Sequence, residues 1–138
     1  QLAEYVVFES PLNMMCDSPT NYMAEQECTD FIAAIPTVWD ETVALDGKVA
    51  EYVVMARRKA DTWYVGAMAG WDGREMEIDL GFLPDGEYSM TVFRDGVNAH
   101  RIASDYKKVT MAVPSDRKMK IKMAPGGGWA AVITLKNQ

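Results

Sequence analysis

Two glutamates, Glu75 and Glu77, stand in a run where Met76, Ile78 and Leu80 alternate with Glu75, Glu77 and Asp79. Paired carboxylates hydrolyse glycosidic bonds when they face each other across a substrate. Two on one strand at a period of two point the same way. Nothing nearby would desolvate either acid and raise its pKa toward that of a proton donor, so the run reads as a solvated acidic row. Ser10 and Ser18 have no His arranged to activate a nucleophile. His100 falls in a loop and Cys16 and Cys28 have no metal-ligand company, so no zinc site is expected. Two buried free thiols are expected ahead of a disulfide.

Asp17 differs from these. It follows a short, nearly continuous apolar run, residues 12–16, and opens the polar loop Asp17-Ser18-Pro19-Thr20-Asn21-Tyr22. A loop after the carboxyl end of a buried strand is where α/β barrels keep substrate-binding groups, which makes Asp17, Asn21 and Tyr22 candidates for the rim of a substrate pocket. Helix capping or loop bracing by Asp17 is the competing and commoner role. Of the tryptophans, Trp63 and Trp129 lie within strand patterns and belong to the core, whereas Trp71 sits at a turn beside Asp72, where an exposed ring could stack on a sugar. The triple glycine of Ala124-Pro125-Gly126-Gly127-Gly128-Trp129 lies between two alternating runs. A phosphate-cradling loop would need a helix after it and a Lys with Ser or Thr. A strand follows, so this is a corner between the last two strands.

The elements that hold these residues are of two kinds. Up to Pro36 the spacing is helical or continuous: a helix over residues 1–10 stopped by Pro11, a strand over 12–16 and a helix over 25–35. Helix, apolar strand, polar loop, helix is the repeating unit of an α/β barrel, and one unit cannot bury its own faces. The apolar first helix is therefore expected to self-associate or fray. Beyond Pro36 turn signals recur, with strands over residues 49–58 and 62–69 and around Ile78, Met90, Met111, Ile121 and Ala131. About seven or eight antiparallel strands should pack as two sheets, a mainly β fold. At 138 residues and 49% hydrophobic content the chain can build such a core. A net charge of −6 with no basic stripe argues against nucleic acid, and the apolar runs are too short to span a membrane. The chain opens on Gln1 directly into apolar sequence, as expected of a cut segment, and shows no leader pattern.

In Ser10-Pro11-Leu12 with Asp17 and Asn21-Tyr22, in Trp39-Asp40-Glu41-Thr42, Glu51-Tyr52, Ala56-Arg57 and Trp63-Tyr64-Val65-Gly66, and in Phe82-Leu83-Pro84, Arg94-Asp95-Gly96 and Met123-Ala124-Pro125-Gly126-Gly127-Gly128, the chain resembles the C-terminal end of glycoside hydrolase family 97. That family comprises calcium-dependent α-glucosidases and related α-galactosidases. The resemblance implies residues 1–36 as the last strand and flanking helices of a catalytic (β/α)8 barrel, and residues 37–138 as a C-terminal β-sandwich. It implies a non-catalytic region of an exo-acting α-glycosidase, supporting the barrel, with the rest of its own enzyme and an oligosaccharide as partners. The catalytic glutamates and the calcium-binding carboxylates of the family lie in barrel segments upstream of Gln1, so no position here inherits them and no cofactor is expected on this segment. Only the loop with Asp17, Asn21 and Tyr22 could approach the sugar. Export, typically to the periplasm, is implied as well. An autonomous sugar-binding module relying on Trp71 and a pure interaction domain are the rival readings.

Overall fold

The computed structural model describes residues 1–136. Three short helices, α1 (Glu4–Val7), α2 (Pro19–Ala24) and α3 (Gln26–Ala34), precede eight strands: β1 (Glu41–Lys48), β2 (Tyr52–Lys59), β3 (Thr62–Ala69), β4 (Arg74–Asp79), β5 (Tyr88–Asp95), β6 (Tyr106–Ala112), β7 (Lys118–Met123) and β8 (Gly128–Leu135). The mainly β, two-sheet expectation is met. One sheet has six strands in the order β1-β2-β3-β8-β5-β6, the other pairs β4 with β7, and every pairing is antiparallel.

Alternation decides which residues go inward. Trp63, Val65 and Ala67 of β3, Trp129, Ala131 and Ile133 of β8 and Met90 and Val92 of β5 face the small sheet, where they meet Ile78, Ile121 and Met123 in the main core. The opposite parity of the same strands is buried too. Tyr64, Phe93 and Ala130 pack against Ala3, Val6, Phe31 and Ile35 from the helical segment. Covered on both faces, β3 reads as a continuous apolar run rather than a clean alternation. Gly66 permits the close approach, since a Cβ there would lie 2.9 Å from Val6 Cβ and 3.0 Å from the Ala3 carbonyl oxygen.

The N-terminal segment departs from expectation at several points. Residues 12–16 form no strand, and Leu12 and Met14 are 77% and 76% exposed. A strand exists only through its neighbours' hydrogen bonds, and these residues have none to pair with here. The expected first helix is confined to α1. Its Val6 is wholly buried against the sheet, so the helix is not the stripped apolar surface expected; Phe8, just past its end, is 57% exposed. Part of the polar loop is α2, with the Ser18 hydroxyl accepting from the Asn21 amide and Pro19 in the first turn. β1 occupies a stretch with no expected strand. The thiols are free, as expected, but Cys16 is exposed and Cys28 half-buried rather than both buried.

Candidate functional site

Asp17, Asn21 and Tyr22 come together. Asp17 Oδ1 accepts from the Ser18 amide at 2.7 Å and from Asn21 Nδ2 at 2.6 Å, while the Asp17 amide donates to the Tyr22 hydroxyl at 2.7 Å. The backbone donor and then the Asn21 donor hold the Asp17 carboxyl below its ordinary value, so it is an acceptor at neutral pH. Asp17 thus braces its own loop, and its carboxylate stays open to solvent.

The same three residues line one wall of a cleft of about 580 Å³ between the helical segment and the sandwich, whose other wall includes Asp95, Tyr106 and the glycine corner. Asp95, which the sequence offered only within Arg94-Asp95-Gly96, is a group whose role sequence reasoning missed. Its Oδ2 accepts from the Ala124 amide at 2.8 Å and the Gly128 amide at 3.1 Å, clasping the β7–β8 turn across the sheet. A Cβ at Gly127 would run into this carboxylate, and Gly126 turns the chain with φ +64°. The triple glycine is therefore a seat for Asp95. Burial pushes the Asp95 carboxyl up, opposed by its two amide donors. On the same wall, hydrogen bonding to Cys28 and then burial push the Tyr106 hydroxyl up, and burial raises the Cys28 thiol.

The other candidates lie elsewhere. Glu75 and Glu77 point to solvent, facing Lys122 and Lys120 in register on β7. Glu75 pairs with Lys122 at 2.8 Å, which lowers the carboxyl and raises the ammonium. Trp71 is 94% exposed at the β3–β4 turn. Among the described residues no three His, Cys, Asp or Glu side chains gather so as to hold a metal ion.

With this geometry in view, the family described as "Glycosyl-hydrolase 97 C-terminal, oligomerisation" matches residues 38–134. The chain belongs to that family. It is 58% identical over 133 residues to a protein named retaining alpha-galactosidase from Bacteroides thetaiotaomicron, a match covering 96% of this chain and 20% of that protein. It is 24% identical over 132 residues to a probable retaining alpha-galactosidase from Streptomyces bingchenggensis, with 96% and 20% covered. The chain thus spans about a fifth of the length of these curated relatives. Among solved structures, a glycoside hydrolase family 97 enzyme from Pseudoalteromonas sp. strain K8 in complex with panose superposes with a TM-score of 0.93 at 34% identity, covering 99% of this chain and 22% of that one. A β-arabinopyranosidase superposes with a TM-score of 0.79 at 29% identity, covering 96% and 20%. The chain corresponds to the C-terminal, oligomerisation region of family 97 glycosidases and not to their catalytic part.

Proposed function

We propose that this chain serves a retaining, exo-acting α-galactosidase that degrades oligosaccharides, and that its sandwich both braces the catalytic barrel and carries oligomerisation. The observation that supports this most is the 58% identity to the Bacteroides thetaiotaomicron relative across 133 residues. An α-glucosidase is the alternative specificity within the family. Chromogenic α-galactoside and α-glucoside offered to the full-length enzyme separate the two: preference for the galactoside is expected, and preference for the glucoside would overturn the assignment. This chain by itself is expected to hydrolyse neither, with or without calcium.

In this reading residues 1–36 dock into the barrel, with residues 12–16 as its last strand, and residues 37–138 belong to the sandwich domain, of which 137 and 138 lie outside the described residues. The exposed Leu12 and Met14 support it, because an apolar segment that lacks sheet neighbours is what a strand removed from a parallel sheet would look like. Asp17, Asn21 and Tyr22 then rim the sugar pocket. Substituting Asp17→Ala in the full enzyme is expected to raise KM, and an unchanged KM would remove Asp17 from the pocket. The parent's calcium finds no ligand set among the described residues, so no step of the reaction is assigned to it here; a chelator is expected to abolish activity of the full enzyme. Export to the periplasm is proposed on the family resemblance, and cell fractionation tests it. The exposed Trp71 ring favours a second role, sugar stacking by the sandwich itself.

A further inference from the structure

A strand edge with free backbone groups is a surface ready to accept another strand, and sandwiches disarm such edges with charge, bulges or cover. Among the described residues the two sheets end in four edges, β1 and β6 of the larger and β4 and β7 of the smaller. The pairing of β1 breaks register between Ala44 and Asp46, a bulge that bends it away from a regular partner. β4 carries Glu75, Glu77 and Asp79 on one face, and β7 carries Lys118, Lys120 and Lys122. Either strand paired symmetrically with its own copy would set like charges opposite one another. β6 alone carries an undefended stretch, Val109-Thr110-Met111-Ala112, without charge, proline or bulge and exposed except at Val109.

We propose that a second copy of the chain pairs antiparallel along the free edge of β6, about a two-fold axis at Thr110, joining the two large sheets into one. The proposal rests on the oligomerisation role above and names the surface that performs it. In this register Val109 meets Met111 between copies, Lys108 meets Ala112 and Lys107 meets Val113, so no lysine faces a lysine. Val109 and Met111 lie opposite Val92 and Met90 on the inner parity of the sheet. That inner face is left uncovered where the small sheet stops, at a gap of about 1110 Å³ lined by Val92, Val109, Met111, Met119, Ile121 and Trp129 among others. Joining the sheets would run the apolar floors of two such gaps into each other and bury the exposed Met111. The outer face does not obstruct the joint. α3 reaches β6 near its beginning, through Glu27 and Lys108 at 3.7 Å, and antiparallel pairing sends the two α3 helices to opposite ends.

Two variants of the full-length enzyme test the register. Facing residues of an antiparallel pair have Cα atoms about 4.5–5.5 Å apart, within reach of a disulfide. T110C in a cysteine-free background is therefore expected to give a covalent dimer under mild oxidation, and E77C on β4 is not. T110K sets two ammonium groups against each other and is expected to weaken the dimer at least about tenfold by sedimentation, with hydrolysis per protomer unchanged. A wild-type dimer that T110K leaves intact and T110C fails to cross-link would overturn the β6 interface and leave the α-galactosidase reading standing. A wild-type enzyme that stays monomeric at all concentrations would overturn it equally. Lost specificity for α-galactosides with the cross-link present would overturn only the enzyme assignment.

Discussion

The central strands of the six-stranded sheet are covered on both faces, but by unlike means. The inner face meets the β4–β7 sheet through side chains that are almost all apolar, with Trp129, Met90, Ile133 and Val65 fully buried. The outer face meets the helical segment through a thinner layer that includes polar groups. Buried Arg57 donates to the Val7 carbonyl at 2.9 Å and lies 5.8 Å from the Trp39 ring, leaving its Nε without a partner. The Tyr64 hydroxyl donates to the Ala34 carbonyl at 3.1 Å, and α1 approaches through the space that Gly66 leaves. The first is a domain core. The second resembles an interface between separately built parts, where hydrogen bonds fix an orientation and small residues set a distance. Folding should therefore depend on the inner face, and attachment of the helical segment on the outer.

The sharpest test truncates the largest buried ring. Trp129→Ala is expected to cost about 3–5 kcal/mol, enough to unfold much of the domain at ordinary temperature. Chemical denaturation of the variant checks it. A loss below about 1 kcal/mol would mean that the inner face is not the stabilising core.

On the outer face Gly66→Val should cost about 1–3 kcal/mol by overpacking against Val6 and the Ala3 carbonyl. The loss should be local. Hydrogen exchange is expected to rise across residues 1–36 while β2, β5 and β8 stay protected. Equal loss of protection in both regions would erase the distinction between the two faces.

This division was only partly legible in the chain. The strands were, because alternation such as Met119, Ile121 and Met123 between lysines can be satisfied in one way only. β1 escaped notice because Asp46 and Gly47 interrupt an edge strand whose Val43 and Leu45 alone turn inward, and a bulge breaks its period. Residues 12–16 carry the composition of a buried strand, but forming one is a property of neighbours, and composition cannot supply them. At the candidate site the link between Asp17, Asn21 and Tyr22 was visible, since all three lie within one short loop. Asp95 was not. Its partners Ala124 and Gly128 are roughly thirty residues away, and the only local hint was that a triple glycine leaves room for something.

Asp95 joins the two regions, since it holds the β7–β8 corner and lines the cleft beneath the helical segment. Asp95→Ala strands two amides and should cost about 1–3 kcal/mol. Asp95→Asn keeps an acceptor and removes the charge, so its effect is smaller and depends on pH. The folded carboxyl titrates above the ordinary 3.8 because burial disfavours its charge. Below that ordinary value both folded and unfolded states hold the proton; between it and the raised value the folded state binds more protons, so stability falls as pH rises through that window. Wild type should therefore be most favoured over Asp95→Asn at acid pH and lose that advantage as the window is crossed. Denaturation midpoints of the two proteins from acid to neutral pH check the slope, and a wild type that gains on the variant as pH rises would reverse the assigned cause.

The smallest effect belongs to the other exposed extreme of the molecule. Trp71 is as large as Trp129, yet it is 94% exposed, so Trp71→Ala should change stability by no more than about 0.5 kcal/mol. A ring held in water at a turn has no packing role to explain it, and its apolar face is what the C–H groups of a pyranose stack against. Titration of the full enzyme, with its catalytic residues inactivated, against an α-galactoside oligosaccharide separates the alternatives. If the sandwich holds a sugar there, the variant loses a saturable binding event while its melting temperature stays fixed. If binding is unchanged and the melting temperature drops by several degrees, Trp71 is covered in the intact enzyme, and the turn at Trp71-Asp72 becomes a contact between this domain and the rest of the protein.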